Sequence, residues 1–312
     1  MQQLNAQETP SVEPIRPPEG QEPNKIKASK SPFQLAFARF RKNKLAIVGI
    51  IILVSIILIS VFADLLATHD PTKSNLLLIE NGPSSEHILG TDGSGRDNFS
   101  RLLYGSRISL IVGFSAMVFT LMIGTTLGSI AGYYGGKIDN LIMRLTDLMQ
   151  ALPFFVLALT IISIVPEITI TLFVTIIALT SWPNLTRIIR GTFLSLREQE
   201  FMLGAKAIGA SDFRIIFKHF IPNAIGPITV NATLMMAQMI IFESGLSFVG
   251  MGIPQPTPTW GNMLSQAQNI RILRNHPEAW IPAGLGIFLT VLAINFIGDG
   301  LRDAFDPKSN RR

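Results

Sequence analysis

Residues 108–131 read ISLIVGFSAMVFTLMIGTTLGSIA, 24 residues without one ionisable side chain. At 1.5 Å per residue such a helix spans the roughly 30 Å hydrocarbon core of a bilayer, and a helix satisfies all its own peptide groups there. Working outward, residues 45–67 carry a single charge, Asp64, near their end, and residues 221–242 and 280–298 carry none. Two shorter apolar segments, 149–165 and 168–182, are separated only by Pro166 and Glu167. Together they are too long for one crossing. They predict a tight hairpin of two helices that sit inside a bundle or extend into amphipathic flanks. The expected fold class is all-α integral membrane, with six transmembrane helices.

Composition agrees. Of 312 residues, 48% are hydrophobic and 15% charged, against about 25% charged in soluble domains. This excludes an ordinary soluble enzyme and a disordered chain. The absence of cysteine excludes disulfides, thiolate metal sites and thiol catalysis. Placing both termini in the cytoplasm puts 20 of the 26 lysines and arginines inside, which is the positive-inside arrangement. The net charge of +5 is therefore topology and not a nucleic-acid surface. Residues 1–32, with six prolines, read as a disordered cytoplasmic tail, and residues 33–44, with Phe33, Leu35, Phe37 and Phe40, as a basic amphipathic segment on the membrane surface. The membrane domain occupies 45–312. Its long loops are 68–107 and 243–279 outside and 183–220 inside. The first apolar run, from Leu45, is too long for a signal-peptide core and reads as an anchor.

Gly124, Gly128, Gly132 and Gly136 recur every four residues. Such a stripe admits a second helix backbone to backbone, as static packing or as a moving contact. In the cytoplasmic loop, Ser195 and Glu198 have capping-box spacing and predict a helix from about 196 to 208, closed by Gly209. Ser211 is placed to cap a second helix, with Asp212 in its first turn. Phe213, Ile216, Phe217 and Phe220 then share one face, edged by Arg214 and Lys218, and Pro222 restarts the chain into the next membrane helix. A pair of short amphipathic helices either rests on lipid or docks a cytosolic partner.

Gly204-Ala205-x-x-x-Gly209, followed by Ile221-Pro222, resembles the E-A-A-x-x-x-G…L-P motif of permease subunits of bacterial ABC importers. Leu203 stands where the motif has glutamate and Gly204 where it has its first alanine; Glu200, one turn earlier, is the candidate substitute. Leu89-Gly90-Thr91-Asp92, Gly95-Arg96-Asp97, Phe99-Ser100-Arg101 and Tyr104-Gly105-Ser106-Arg107 resemble the peptide and nickel branch of that family. So do Glu243-Ser244-Gly245-Leu246-Ser247-Phe248-Val249-Gly250-Met251-Gly252, with Trp260-Gly261, and the end Gly298-Asp299-Gly300-Leu301-Arg302-Asp303 with Asp306-Pro307. The C-type permeases of dipeptide and oligopeptide importers match best. The resemblance implies a type I importer permease in the bacterial cytoplasmic membrane. It would enclose a pathway with a homologous second permease, receive substrate from an external binding protein, and dock two ATP-binding subunits. The docking residues implied are Glu200, Leu203, Gly204, Ala205, Gly209, Ala210, Ser211, Asp212 and Arg214. Nickel or another small solute is the alternative cargo, and an ion-coupled secondary transporter the remote alternative.

The chain has no Walker A loop; Gly136-Lys137 is followed by Ile138. ATP and Mg²⁺ are thus expected on partner subunits, and no catalytic residue here. The histidines His69, His87, His219 and His276 are scattered in loops and predict no metal site. Asp92, Arg96, Asp97, Arg101 and Arg107 read as a salt-bridge set that folds and gates the outer loop. Glu243, at the outer end of its helix, must face protein or water; it either pairs with Arg96 or Arg107 or serves the passage. Asn231 and Gln238, seven apart on one helix face, line the passage or bond a neighbouring helix.

Overall fold

The computed structural model describes residues 32–207 and 209–305. The tail expected over 1–32 lies outside the described residues except for Pro32, as do Asp306 and Pro307. Helix α1 (Pro32–Phe40) leads to α2 (Lys44–Val61), whose N-terminus is capped by the Asn43 side chain accepting from Ala46 N at 3.1 Å. A short α3 (Ala63–Leu66) and the outer loop precede α4 (Asn98–Tyr134). Helix α5 (Gly136–Ala151) bends by 82° into α6 (Phe154–Ile164), followed by α7 (Ile170–Arg197) and α8 (Glu200–Ala207). Helix α9 (Asp212–Ile215) passes through a π turn (Ile216–Phe220) into α10 (Ile221–Phe248). Helices α11 (Trp260–Leu264) and α12 (Ile270–Asn275) then fold the second outer loop beneath α13 (Ile281–Phe305).

Five helical stretches among the described residues are long and apolar enough to cross a membrane, six when the bent α5–α6 pair is counted as one span. The boundaries differ from the expected ones for local reasons. Helix α4 starts ten residues before 108 because Asp97 caps it, its Oδ2 accepting from Ser100 N at 2.7 Å. The expected segment 149–165 is broken at Leu152–Pro153: proline lacks an N–H and forces the preceding residue to extended backbone, here φ −97, ψ 134. The remaining 11-residue α6 is only about 16 Å long, half a bilayer. Helix α7 does not stop at 182. It runs to Arg197 because Leu185, Ile189 and Phe193, spaced by four, keep one face buried.

The tightest packing is α4 on α7. A Cβ on Gly124 would lie 2.8 Å from Leu185 Cδ2, on Gly128 2.7 Å from Thr186 O, and on Gly132 2.5 Å from Phe193 Cβ. Gly136 is not part of this stripe. It has open space around it and, with Gly135, adopts positive φ (57° and 67°) to turn the chain into α5. Similar small-residue contacts join α2 to α13 (Gly49 against Ala293 O, Gly300 against Ala46 Cβ) and α4 to α10 (Gly113 against Ile240). Between α4, α7 and α10 lies a core of Val112, Ala116, Phe173, Ile177, Met239 and Leu246. Helix α1 lies on the end of α13, with Ala36 inward and Leu35 and Phe37 exposed. The loops before α4 and after α10 meet at the opposite end of the bundle.

Candidate functional site

Three regions hold the residues singled out by sequence, and they are stacked along the bundle. At the α1 end, α8 and α9 form a helical corner. Gly209 adopts φ 77°, and Ala210 N–H reaches back to Ala205 O at 3.1 Å, the bond that closes a helix through a left-handed glycine. Ser211 is extended at the start of α9 but its hydroxyl makes no cap bond. Asp212 instead accepts from the Tyr133 hydroxyl at 2.5 Å, tying α9 to the end of α4. Ser195 is not a cap: it lies inside α7, donating to Thr192 O at 2.9 Å, and Glu198 follows the helix end. The corner's first helix therefore begins at Glu200.

Met202, Ala205, Ile215 and Phe220 seal the inner side of this corner on Tyr133, Ile189 and Phe193. Phe220 stacks on Phe193 with centroids 4.7 Å apart and meets Tyr133 edge-on at 5.6 Å. The single apolar face expected for Phe213, Ile216, Phe217 and Phe220 does not form. The π turn inserts an extra residue per turn and rotates the helix, so Ile215 and Phe220 point in while Phe213 and Phe217 point out. Phe213 and Phe217 pack on each other 4.4 Å apart and both remain exposed. Phe201, Ala205, Ala210, Arg214, Lys218 and His219 line an open groove of about 370 Å³. Glu200 and Gly204 are exposed. Leu203 lies in α8, with its side chain outside what the structure describes.

At the other end, the outer loops interlock. Asp92 Oδ2 accepts from Arg96 Nε at 2.8 Å and lies 3.4 Å from Arg101 Nε. Both guanidiniums converge on Gln255 Oε1, at 2.7 Å from Arg96 and 3.0 Å from Arg101, and Arg101 also donates to the carbonyls of Pro71 and Pro256. Arg101 is fully buried, so its charge rests entirely on these partners. Asp97 and Arg107 stand apart from this set. Asp97 caps α4 and accepts from His87 at 2.8 Å; Arg107 binds Asp64 at 2.9 Å and the last carbonyls of α2. Burial pushes the Asp97 carboxyl up, but the Ser100 peptide and hydroxyl, His87 and the nearby His69 outweigh it and hold it below the ordinary value. Hydrogen bonds from Arg107 and Tyr104 likewise lower Asp64.

Glu243 pairs with neither Arg96 nor Arg107. It is fully buried among hydroxyls, accepting from Ser247 at 2.9 Å and Ser109 at 3.2 Å, while Ser109 Oγ accepts from Trp260 N at 3.1 Å. The carboxylate thus locks α4, α10 and α11 beneath the outer cap. Gln255, Ser109 and Tyr133 carry no sequence signal, because their partners Arg96 and Arg101, Glu243 and Asp212 are distant in sequence.

Between the two ends, the α5–α6 bend, α7 and α10 enclose a cleft of about 550 Å³. Its polar lining is Gln150, Thr180, Ser181, Asn184, Asn231 and Gln238, and among the described residues no charged side chain lines it. Asn231 and Gln238 both face this cleft, and Asn231 Nδ2 donates to Pro227 O of its own helix at 2.8 Å and not to a neighbour.

Residues 124–311 match the family of binding-protein-dependent transport system inner membrane components. This chain belongs to that family. Residues 31–83 of the permease also match the N-terminal transmembrane domain of oligopeptide transport permease C. It is 46% identical over 297 residues to the dipeptide transport system permease of Alkalihalophilus pseudofirmus, covering 95% of each chain. To the oligopeptide transport system permease of Bacillus subtilis it is 42% identical, covering 90% of this chain and 92% of the relative. To the glutathione transport system permease of Pectobacterium atrosepticum it is 38% identical, covering 90% and 93%. A solved inward-facing methionine ABC transporter shares the fold, with TM-score 0.54 and 19% identity over 67% of this chain and 97% of the other. The permease is a non-catalytic, multi-pass protein of the bacterial inner membrane.

Proposed function

We propose that this permease forms half of the pathway of an ATP-driven peptide importer, with both termini cytoplasmic. The observation that carries the cargo class is the chain-long identity to dipeptide and oligopeptide permeases. The cleft between α5–α6, α7 and α10 supports it. Amides and hydroxyls with no charge offer hydrogen bonds to any peptide backbone while leaving side-chain charge unselected. In this reading a homologous second permease completes the cleft, and an external binding protein delivers peptide onto the cap built on Asp92, Arg96 and Arg101.

Two ATPase subunits carry the nucleotide and Mg²⁺ and dock on the corner from Glu200 to Phe220. Exposed Phe213 and Phe217 enter the partner's cleft, and Arg214 and Lys218 meet its acidic rim. Glu200 takes the part of the glutamate that Leu203 replaces. Because the corner's inner side is fixed to Tyr133 and Phe193, a push on it moves α4, α7 and α10 together. The corner converts movement of the ATPases into a change of the cleft.

Uptake in cells with and without the chain tests the reading, using labelled peptides of two to about six residues, and nickel. Loss of peptide uptake on deletion is expected, and the longest peptide affected marks the branch. Loss of nickel uptake alone would transfer the cargo to the metal branch. Unchanged uptake of every probe would refute both.

A further inference from the structure

Two of the four histidines scattered along the sequence meet in space. His69 follows α3, His87 sits in the middle of the outer loop and Asp97 caps α4, yet one candidate ligand atom from each lies within 4.8 Å of the other two. We propose that His69, His87 and Asp97 bind one divalent transition-metal ion of the zinc and nickel class on the outer cap. The assignment stands whether or not peptides are the cargo.

The donor set decides the class of ion. Two imidazole nitrogens and one carboxylate oxygen suit zinc, nickel, cobalt and copper, whereas calcium and magnesium take oxygen ligands almost alone. The spacing fits. Ligand atoms about 2.1 Å from a tetrahedral ion lie about 3.4 Å from one another. Asp97 Oδ1 is 2.8 Å from His87 Nδ1 and 3.8 Å from His69 Nδ1, bracketing that separation. The imidazoles stack with centroids 4.4 Å apart; His87 Nδ1 contacts Asp97 Oδ1, while His69 Nδ1, 3.8 Å from it, lies 3.0 Å from Thr68 Oγ1, a contact that it would exchange for the ion. Without an ion only one ring can donate well to that oxygen; a cation accepts all three lone pairs at once.

The chain around each ligand is also held in place. Asp97 Oδ2 is fixed by Ser100 N–H at 2.7 Å. Ser100 Oγ accepts from the backbone N–H of His69 at 3.0 Å, and Ser84 Oγ from the backbone N–H of His87 at 2.9 Å, which fixes the loop on either side of the site. Asp97 and His87 are buried, whereas His69 borders an open groove of about 590 Å³ lined also by Asp64, Asp70 and Tyr104. That groove leaves the fourth coordination position to water. A bound ion would pin three points of the outer loop to the head of α4.

The test uses the full chain in detergent, purified without a histidine tag and stripped with a chelator. Zn²⁺ is titrated in competition with a chromophoric chelator, and Co²⁺ serves as a spectroscopic probe. One ion per chain is expected, with the visible absorption of tetrahedral cobalt and no competition from Mg²⁺. His69→Ala, at a part-exposed position, and Asp97→Asn, which still caps a helix, should each weaken Zn²⁺ binding by roughly tenfold or more. His276→Ala should bind as the parent does. Absence of stoichiometric binding in the parent chain would overturn the proposal. So would affinities unchanged by His69→Ala and Asp97→Asn.

Discussion

Gly132 sits where α4 and α7 touch backbone to backbone. A methyl group there would meet Phe193 Cβ at 2.5 Å and Arg190 O at 2.8 Å, neither of which is the end of a flexible chain. Gly132→Ala is therefore expected to lower stability by about 1–3 kcal/mol through overpacking. Gly191, on the same helix pair but with nothing near its would-be Cβ, provides the control. Gly191→Ala should be neutral or slightly stabilising, since alanine favours the helix. Thermal melting of the two purified variants in detergent separates them; equal melting temperatures would mean that α4 and α7 do not rest on this stripe. The same scale explains Glu243. A carboxylate in an apolar bundle is tolerated because it is fully buried in protein and receives hydroxyls from Ser109 of α4 and from Ser244 and Ser247 of α10.

At the scale of the element, the corner formed by α8 and α9 makes a pattern that a cysteine-free chain can reveal directly. Single cysteines at Phe201, Phe213 and Phe217 should react rapidly with a membrane-impermeant thiol reagent in inside-out vesicles. At Met202 and Ile215, both 1% exposed, they should react slowly. Adding the ATPase partners should protect the first group and leave the second unchanged. Uniform reactivity would remove the docking corner. That pattern also marks what was legible in sequence. Gly209 was readable because a left-handed helix end demands a residue without a Cβ, and the long apolar spans because lipid admits little else. The register beyond Ile215 was not, because a π turn leaves no local mark and shifts every later side chain. The first ten residues of α4 were hidden for another reason. Arg101 and Arg107 end the charge-free run, and Gln255 and Asp64, which receive them inside the fold, are distant in sequence. His69 and His87 met the same limit, since only the folded loop brings them together.

Across the whole molecule, α4 is tied to its neighbours along its full length. At the cap, Ser109 joins it to Glu243 of α10; in the middle, Gly124 and Gly128 join it to α7; at the corner, Tyr133 joins it to Asp212. From Asp212 to Phe248 the chain is helical throughout, about 55 Å of rod. These ties make α4, α7 and α10 one body with a handle at the corner and a lock at the cap. In the proposed importer, movement is expected around that body, at the contact proposed for a second permease and at the α5–α6 bend of 82°. Spin labels at Ile111, Leu179 and Ile241, all about half exposed on the three helices, report on this. Their mutual distances should stay within about 1–2 Å between the nucleotide-free and nucleotide-trapped importer, the scale of helix adjustment inside a rigid unit. A change of a helical turn between α4 and α7, about 5.4 Å, would show that the glycine stripe slides. In that event Gly124, Gly128 and Gly132 would be a moving contact, and the corner would drive α7 past α4 in place of carrying both.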